Sequence, residues 1–261
     1  MMNTAKSILA VPDVHGRTFW KEPVGKYIDF VDRVVFLGDY LDPYRDEGIA
    51  YTPDGIYRNM MEIIELKLHN PEKVVLLKGN HDQHYSSVRF CELAGGSRRD
   101  KLNWEKYHRT FNEYKDLFKI AHLETVKGTN YLFTHAGITE YWMNKVNTQV
   151  WKMNDNEVSV AHQDIIDRIN MLDTKLEGQN MLAVVGRSRS WYGGEKTGSV
   201  LWADIDDHPE KAPKAYGLDQ VFQVFGHSRM DGSQTDMIEH EHFAMIDSQK
   251  CFLIAEGITR L

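Results

Sequence analysis

Cysteine is nearly absent from this chain of 261 residues: Cys91 and Cys251 are the only two. Two thiols so far apart make no disulfide framework, and nothing around either has zinc spacing. Both read as small buried apolar side chains in a reducing setting. Proline is scarce, at seven residues, and no low-complexity stretch accompanies it, which argues against a long linker. No internal repeat is visible. No apolar run approaches the ~18 residues of a membrane span. The N-terminal residues Met1 to Lys6 lead straight into a short strand without the apolar core of a signal peptide. Positive charge is in deficit. A net charge of −7 argues against duplex-wrapping nucleic-acid binding, which needs a basic footprint. These absences point to a cytoplasmic protein with no membrane and no nucleic acid as partner. With 42% hydrophobic and 26% charged residues it has the composition of a globular enzyme.

What is present is ordered. Ser7 to Val11, Val34 to Leu37 and Val74 to Leu77 read as short strands. Pro53 to His69 between the last two is helical, with Ile56, Met60, Ile63, Ile64 and Leu68 on one stripe. Strand, helix, strand at these lengths is a right-handed crossover between parallel strands. Trp104 to Leu117 and Val158 to Leu176 also have helical period. Tyr131 to Phe133, Met181 to Val185 and Val221 to Phe225 read as strands. His242 to Asp247 and Cys251 to Ala255 look like a terminal hairpin. The expected fold is α/β: two packed mixed sheets flanked by helices in a single domain over residues 1–261, with a helical insertion around 86–116. The polar stretch Gly193 to Thr197 is expected to be a mobile loop.

Five short segments carry the chemistry: Asp13-Val14-His15-Gly16, Gly38-Asp39-Tyr40-Leu41-Asp42, Gly79-Asn80-His81-Asp82, Thr134-His135-Ala136-Gly137 and Gly226-His227-Ser228. Four of the five follow an apolar run. Asp13 and His15, one residue apart on a strand end, point to one side and can share a cation. Asp39 has two carboxylate oxygens and can bridge two ions. Asn80 offers a neutral oxygen, and His135 and His227 each follow a strand and stand beside a glycine. Taken singly, each is ambiguous. Together, at the ends of parallel strands where ligands collect, Asp13, His15, Asp39, Asn80, His135 and His227 predict a dinuclear metal site. Mixed oxygen and imidazole donors suit manganese, iron or zinc better than calcium or magnesium.

These segments resemble the calcineurin-like metallophosphoesterases, and among them the phosphoprotein phosphatases of the bacteriophage, bacterial and eukaryotic serine/threonine type. Pro12-Asp13-Val14-His15-Gly16 is similar to the family's Gly-Asp-x-His-Gly. Gly38 to Tyr44 is similar to Gly-Asp-Tyr-Val-Asp-Arg-Gly, and Lys78 to Asp82 to Arg-Gly-Asn-His-Glu. Phe133 to Gly137, Leu201 to Asp204 and Phe225 to Ser228 resemble the later motifs. The resemblance implies that Asp13, His15 and Asp39 hold a first metal, and Asp39, Asn80, His135 and His227 a second. It implies His81 as proton carrier with Asp42 as its carboxylate partner, and Asp82 supporting the loop. Two divalent ions, manganese first, then iron or zinc, would activate a water for attack on phosphorus, without a covalent phosphoenzyme.

The chain departs from the family at Pro12, at Pro43 and Tyr44, which stand where a phosphate-gripping arginine is usual, and at Lys78, where an arginine often sits. Arg45, Lys78, Arg187 and Arg189 are the candidate substrate-binding residues. Arg229 replaces a second late histidine of many relatives, and His240 or His242 could supply a late ligand. The expected activity is hydrolysis of phosphomonoesters, in phosphoproteins or small phosphorylated molecules. The alternatives are a phosphohydrolase of dinucleoside polyphosphates or nucleic-acid ends, and a scaffold without activity.

Overall fold

The computed structural model of the chain describes residues 6–44, 52–93, 98–153, 162–190, 193–209, 211–212, 214–230 and 236–261. Arg45 and the expected helix start at 158–161 lie outside these residues. Along the chain run eleven described strands: β1 (Ile8–Val11), β2 (Arg33–Phe36), β3 (Val74–Leu77), β4 (Phe118–Lys119), β5 (Ala121–Val126), β6 (Thr129–Thr134), β7 (Phe222–Phe225), β8 (Ile238–Glu239), β9 (Phe243–Met245), β10 (Phe252–Ile254) and β11 (Ile258–Arg260). They form two mixed sheets with helices between the strands, so the α/β class holds. The chain falls into two compact units, Lys6–Lys119 with Gln249–Leu261, and Ile120–Ser248.

The first unit carries a six-stranded sheet in the order β11-β10-β1-β2-β3-β4. β1, β2, β3 and β4 are parallel, with Leu9 opposite Val34 and Val34 opposite Val74. β1 and β3 are buried throughout, as continuous apolar runs in a parallel sheet require. Helix α1 (Lys21–Tyr27) follows β1. Helix α2 (Pro53–His69) makes the crossover between β2 and β3 at the expected boundaries. Thr52 caps it by accepting from the Gly55 N–H at 3.1 Å, proline stands at its first position, and Asn70 closes it. Ile56, Met60, Ile63 and Ile64 are buried in the core beside Leu9, Val34 and Val74, whereas Leu68, at the end of the stripe, is half exposed. Helices α3 (Asn80–Ser86), α4 (Val88–Leu93) and α5 (Trp104–Glu113) follow β3, so the segment around 86–116 carries two helices, α4 and α5, while residues 98–103 before α5 are turn and coil.

The second unit carries a five-stranded sheet in the order β5-β6-β7-β9-β8, in which β6, β7 and β9 are parallel. Helices α6 (Glu140–Val146), α7 (His162–Met171) and α8 (Leu176–Leu182) belong to it. Two expectations fail here. Met181 to Val185 is not a strand: Met181 and Leu182 end α8, where Gly178 lets the helix approach the Leu172 carbonyl. The two terminal runs do not pair with each other either. β9 joins the second sheet beside β7, while β10 pairs with β1 and makes the hairpin with β11. The stretch Gly193 to Thr197 is tied down. Glu195 accepts from the Tyr141 hydroxyl at 2.7 Å, and its backbone pairs with Val185 and Arg187 at 3.1 and 2.9 Å.

Candidate metal centre

In the first unit the carboxyl ends of β1, β2 and β3 lie at one edge of the sheet, because the three strands are parallel. The chain leaves them at Asp13, Asp39 and Asn80 respectively. The loops stay paired past the strands: the His15 N–H donates to the Asp39 carbonyl at 2.6 Å and the Gly16 N–H to the Tyr40 carbonyl at 2.9 Å. His15, Asp39 and Asp42 take the left-handed backbone region, at φ 46°, 52° and 61°. Non-glycine residues there cost on the order of 1–3 kcal/mol each, a strain that gathers at functional loops.

Two glycines make the convergence possible. A Cβ on Gly38 would stand 2.5 Å from the Gly79 nitrogen, and one on Gly79 would collide with the Asp39 carboxylate and stand 2.6 Å from its nitrogen. Gly79→Ala should therefore cost on the order of 1–3 kcal/mol and weaken metal uptake by displacing Asp39. Thermal unfolding with and without manganese checks this; an unchanged melting temperature would show that Asp39 moves aside freely. Asp82, fully buried on α3, clamps the same turn. It accepts from the Asp39 N–H at 2.7 Å, the Tyr40 N–H at 3.0 Å and the Gly79 N–H at 2.8 Å. The His81 N–H donates to Asp39 Oδ1 at 2.9 Å.

Asp13, His15 and Asp39 are each about 1% exposed and offer three donor atoms within 4.8 Å of one another. His15 Nδ1 meets the Leu41 carbonyl at 2.9 Å, and Nε2 lies 3.4 Å from Asp39 Oδ2. A proton on Nδ1, held by that carbonyl, leaves the Nε2 lone pair facing the carboxylates, the tautomer a ligating imidazole requires. Burial, then the His81 ring and the Arg17 and Arg98 guanidiniums, holds the His15 pKa well below its usual value, so the ring is neutral. Burial and then the Asp82 charge push Asp39 well above the carboxylate range without metal. A divalent cation among these groups reverses that penalty, so the donor set fits one.

Beside the trio, His81 Nδ1 is 2.8 Å from Asp42 Oδ2. Asp42 Oδ1 accepts from the Tyr85 hydroxyl at 2.5 Å and the Asp100 N–H at 3.3 Å. Burial raises the Asp42 carboxyl to about 6 against those hydrogen bonds. His84, its ring 5.2 Å from that of His81, is lowered to about 3 by burial and then by His81. Asp42, His81 and His84 form a second group of three close donors. With Arg98 Nη2 only 3.5 Å from His81 Nε2, that spot suits an anion better than a cation. Lys78 is 5% exposed.

In the second unit the parallel strands β6 and β7 end at Thr134 and Phe225, and the chain leaves them at one edge through His135 and, two residues past β7, His227. His135 Nε2 and His227 Nδ1 are 3.1 Å apart, both rings buried, and the Gly226 N–H donates to the His135 carbonyl at 2.8 Å. His227 has φ 67°. Arg189 is taken up in holding this loop. Its Nε pairs with Asp204 Oδ2 at 2.7 Å, and its Nη2 donates to Ser228 Oγ at 2.9 Å and the His227 carbonyl at 3.4 Å. Arg187, two residues earlier, is exposed. His240 is exposed and His242 buried, and neither joins a group of three donors among the described residues.

Tyr85, His84, Asp100 and Arg98 were not reached from sequence. Tyr85 lies four residues after His81 on α3, a spacing that places both on one helix face. Arg98 sits in no motif.

The sequence matches the family described as calcineurin-like phosphoesterase over residues 6–228. No curated protein matches it. In structure it is similar to a protein serine/threonine phosphatase from Saccharomyces cerevisiae with similarity to human phosphatase PP5, at 15% identity and TM-score 0.50, over 98% of this chain and 74% of that one. It is also similar to a proposed diadenosine tetraphosphatase, at 15% identity and TM-score 0.42, over 100% and 95% of the two chains. At these identities the first likeness speaks for the fold. Among the described residues no helix is long and apolar enough to cross a membrane.

Proposed function

We propose, on the premise that the chain belongs to the calcineurin-like phosphoesterase family, that it hydrolyses phosphomonoesters with the help of two divalent metal ions, manganese ahead of iron or zinc. The observation that carries this reading is the buried Asp13–His15–Asp39 trio beside a His81–Asp42 pair. Asp13, His15 and Asp39 would hold one ion, and Asp39, Asn80, His135 and His227 the other. The family match spans all six, which supports reading the two units as one metallophosphoesterase domain. When bound, such ions supply Lewis acidity toward phosphoryl oxygens and lower the pKa of a water.

The chain's own residues supply the rest. Asp42 Oδ2 holds the Nδ1–H of His81, and Tyr85 and Asp100 hold Asp42 in turn, so the imidazole cannot rotate. Its Nε2, on the side of the ring away from Asp42, would carry a proton to the departing alkoxide. Asp82 keeps the Asp39 and Gly79 turns in register. The donor set and the phosphatase-like motifs support phosphomonoesters, of phosphoserine or phosphothreonine in proteins or of small molecules, as substrates. The test is a panel with added Mn²⁺. Para-nitrophenyl phosphate should be turned over well, its bis-ester and dinucleoside polyphosphates slowly, and chelator should abolish all of it. Preference for the bis-ester or the polyphosphates would replace the substrate assignment. A purified chain with neither bound metal nor any hydrolysis would end the enzymatic reading.

A further inference from the structure

We propose that Arg98 grips the phosphoryl group of the substrate, filling the part that Pro43 and Tyr44 vacate in the second motif. The inference rests on the phosphoester reading above and adds a residue outside every motif of the chain.

Tyr44 stands where the family's motif would place its glycine, directly after the proline that replaces the arginine. The guanidinium returns from another part of the same unit. Arg98 Cζ lies 3.3 Å from the centroid of the Tyr44 ring. The Tyr44 ring in turn meets the His15 ring edge to face at 4.9 Å. A guanidinium stacked on an aromatic face keeps its N–H groups in its own plane, directed sideways, where they can fork onto two oxygens of one anion. One of those nitrogens, Nη2, is 3.5 Å from His81 Nε2. This is the His81 nitrogen that Asp42 does not engage, so the fork opens at the place where a leaving group would take its proton.

The backbone holding Arg98 is anchored. Two residues on, the Asp100 N–H donates to the Tyr85 hydroxyl at 2.8 Å and to Asp42 Oδ1 at 3.3 Å. The Asp100 carboxylate accepts from the Leu102 and Asn103 N–H groups at 3.0 and 3.1 Å, closing the turn that starts α5. The segment that carries the guanidinium is thus tied to the carboxylate that orients His81. Arg17 Nε donates to the Val14 carbonyl at 3.1 Å, and within the second unit Arg189 holds Asp204 and Ser228.

The probe is inorganic phosphate, titrated calorimetrically into the manganese-loaded protein, with metal content measured in parallel. Arg98→Met keeps an apolar stem over Tyr44 and removes the charge. Phosphate affinity should fall roughly ten- to hundredfold, as expected for lost charge-assisted hydrogen bonds, and metal content should stay that of the parent. Arg98→Lys should fall between the two, since an ammonium replaces the fork with a point charge. With para-nitrophenyl phosphate the loss should appear mainly in KM. Parental phosphate affinity in Arg98→Met would overturn the proposal; so would parental affinity in Arg98→Lys, which decides the matter if the Met variant does not fold. No phosphate binding by the parent would overturn it too. The substrate panel judges the phosphoester reading separately: hydrolysis by a parent whose Arg98 variants bind phosphate normally would leave that reading standing and remove Arg98 alone.

Discussion

Replacing Asp39 by asparagine is expected to abolish hydrolysis while leaving the metal-free protein at least as stable as the parent. Asp39 is 1% exposed. Burial and the nearby Asp82 charge raise its carboxyl well above the ordinary 3.8. A carboxyl raised in the folded state penalises folding as pH climbs past its unfolded value, and the penalty stays in full above the folded one. A neutral amide removes that penalty and can still accept the His81 N–H through its oxygen. In metal the order reverses. An ion that binds only the folded state adds RT ln(1 + [L]/Kd), about 2.7 kcal/mol at a hundredfold excess over Kd. The variant, lacking the carboxylate proposed to be shared by both ions, should lose most of that gain. Melting temperatures at pH 8, with and without Mn²⁺, check both halves. A manganese-induced rise as large in the variant as in the parent would remove Asp39 from the centre.

The residues expected to hold metal were legible because strand ends announce themselves. An apolar run followed by glycine and a carboxylate or amide marks the carboxyl edge of a parallel sheet. Gly38 and Gly79 are needed there so that two backbones can meet at Asp39. Asp13, His15 and Asp39 are brought together as read, and so, within the second unit, are His135 and His227. Short apolar runs without such a marker were misread. Met181 to Val185 is as apolar as a strand, but the packing of Gly178 on Leu172 keeps its start helical, and periodicity over five residues cannot separate the two. The terminal pair failed because pairing partners are chosen by the sheets. Ser248 to Lys250, read as a hairpin turn, instead links a strand of one unit to a strand of the other. Arg98 was out of reach because its position is set by the Asp100 turn and the Tyr44 ring, neither of which leaves a period or spacing to find.

Asp42→Asn is expected to lower kcat by roughly 10²–10⁴-fold with metal content and KM little changed. The hydrogen bonds force the result. Asp42 Oδ1 accepts from the Tyr85 hydroxyl and the Asp100 N–H, so an asparagine carbonyl must take that side. Its NH₂ then faces His81 Nδ1, which becomes an acceptor. His81 can no longer gain a second proton without setting two N–H groups against each other, and so cannot deliver one to the leaving oxygen. His81→Ala should lose a similar factor, and the double variant little more than either single one, because the two side chains act as a unit. Stability should move the other way. Burial raises Asp42 from 3.8 to about 6. Its penalty is therefore absent below pH 3.8, grows through 6 and is constant above. Asp42→Asn should melt higher than the parent at pH 8 and about equally at pH 4. A variant that kept parental kcat would leave His81 without a partner that matters, and the proton would have to reach the leaving group by another path.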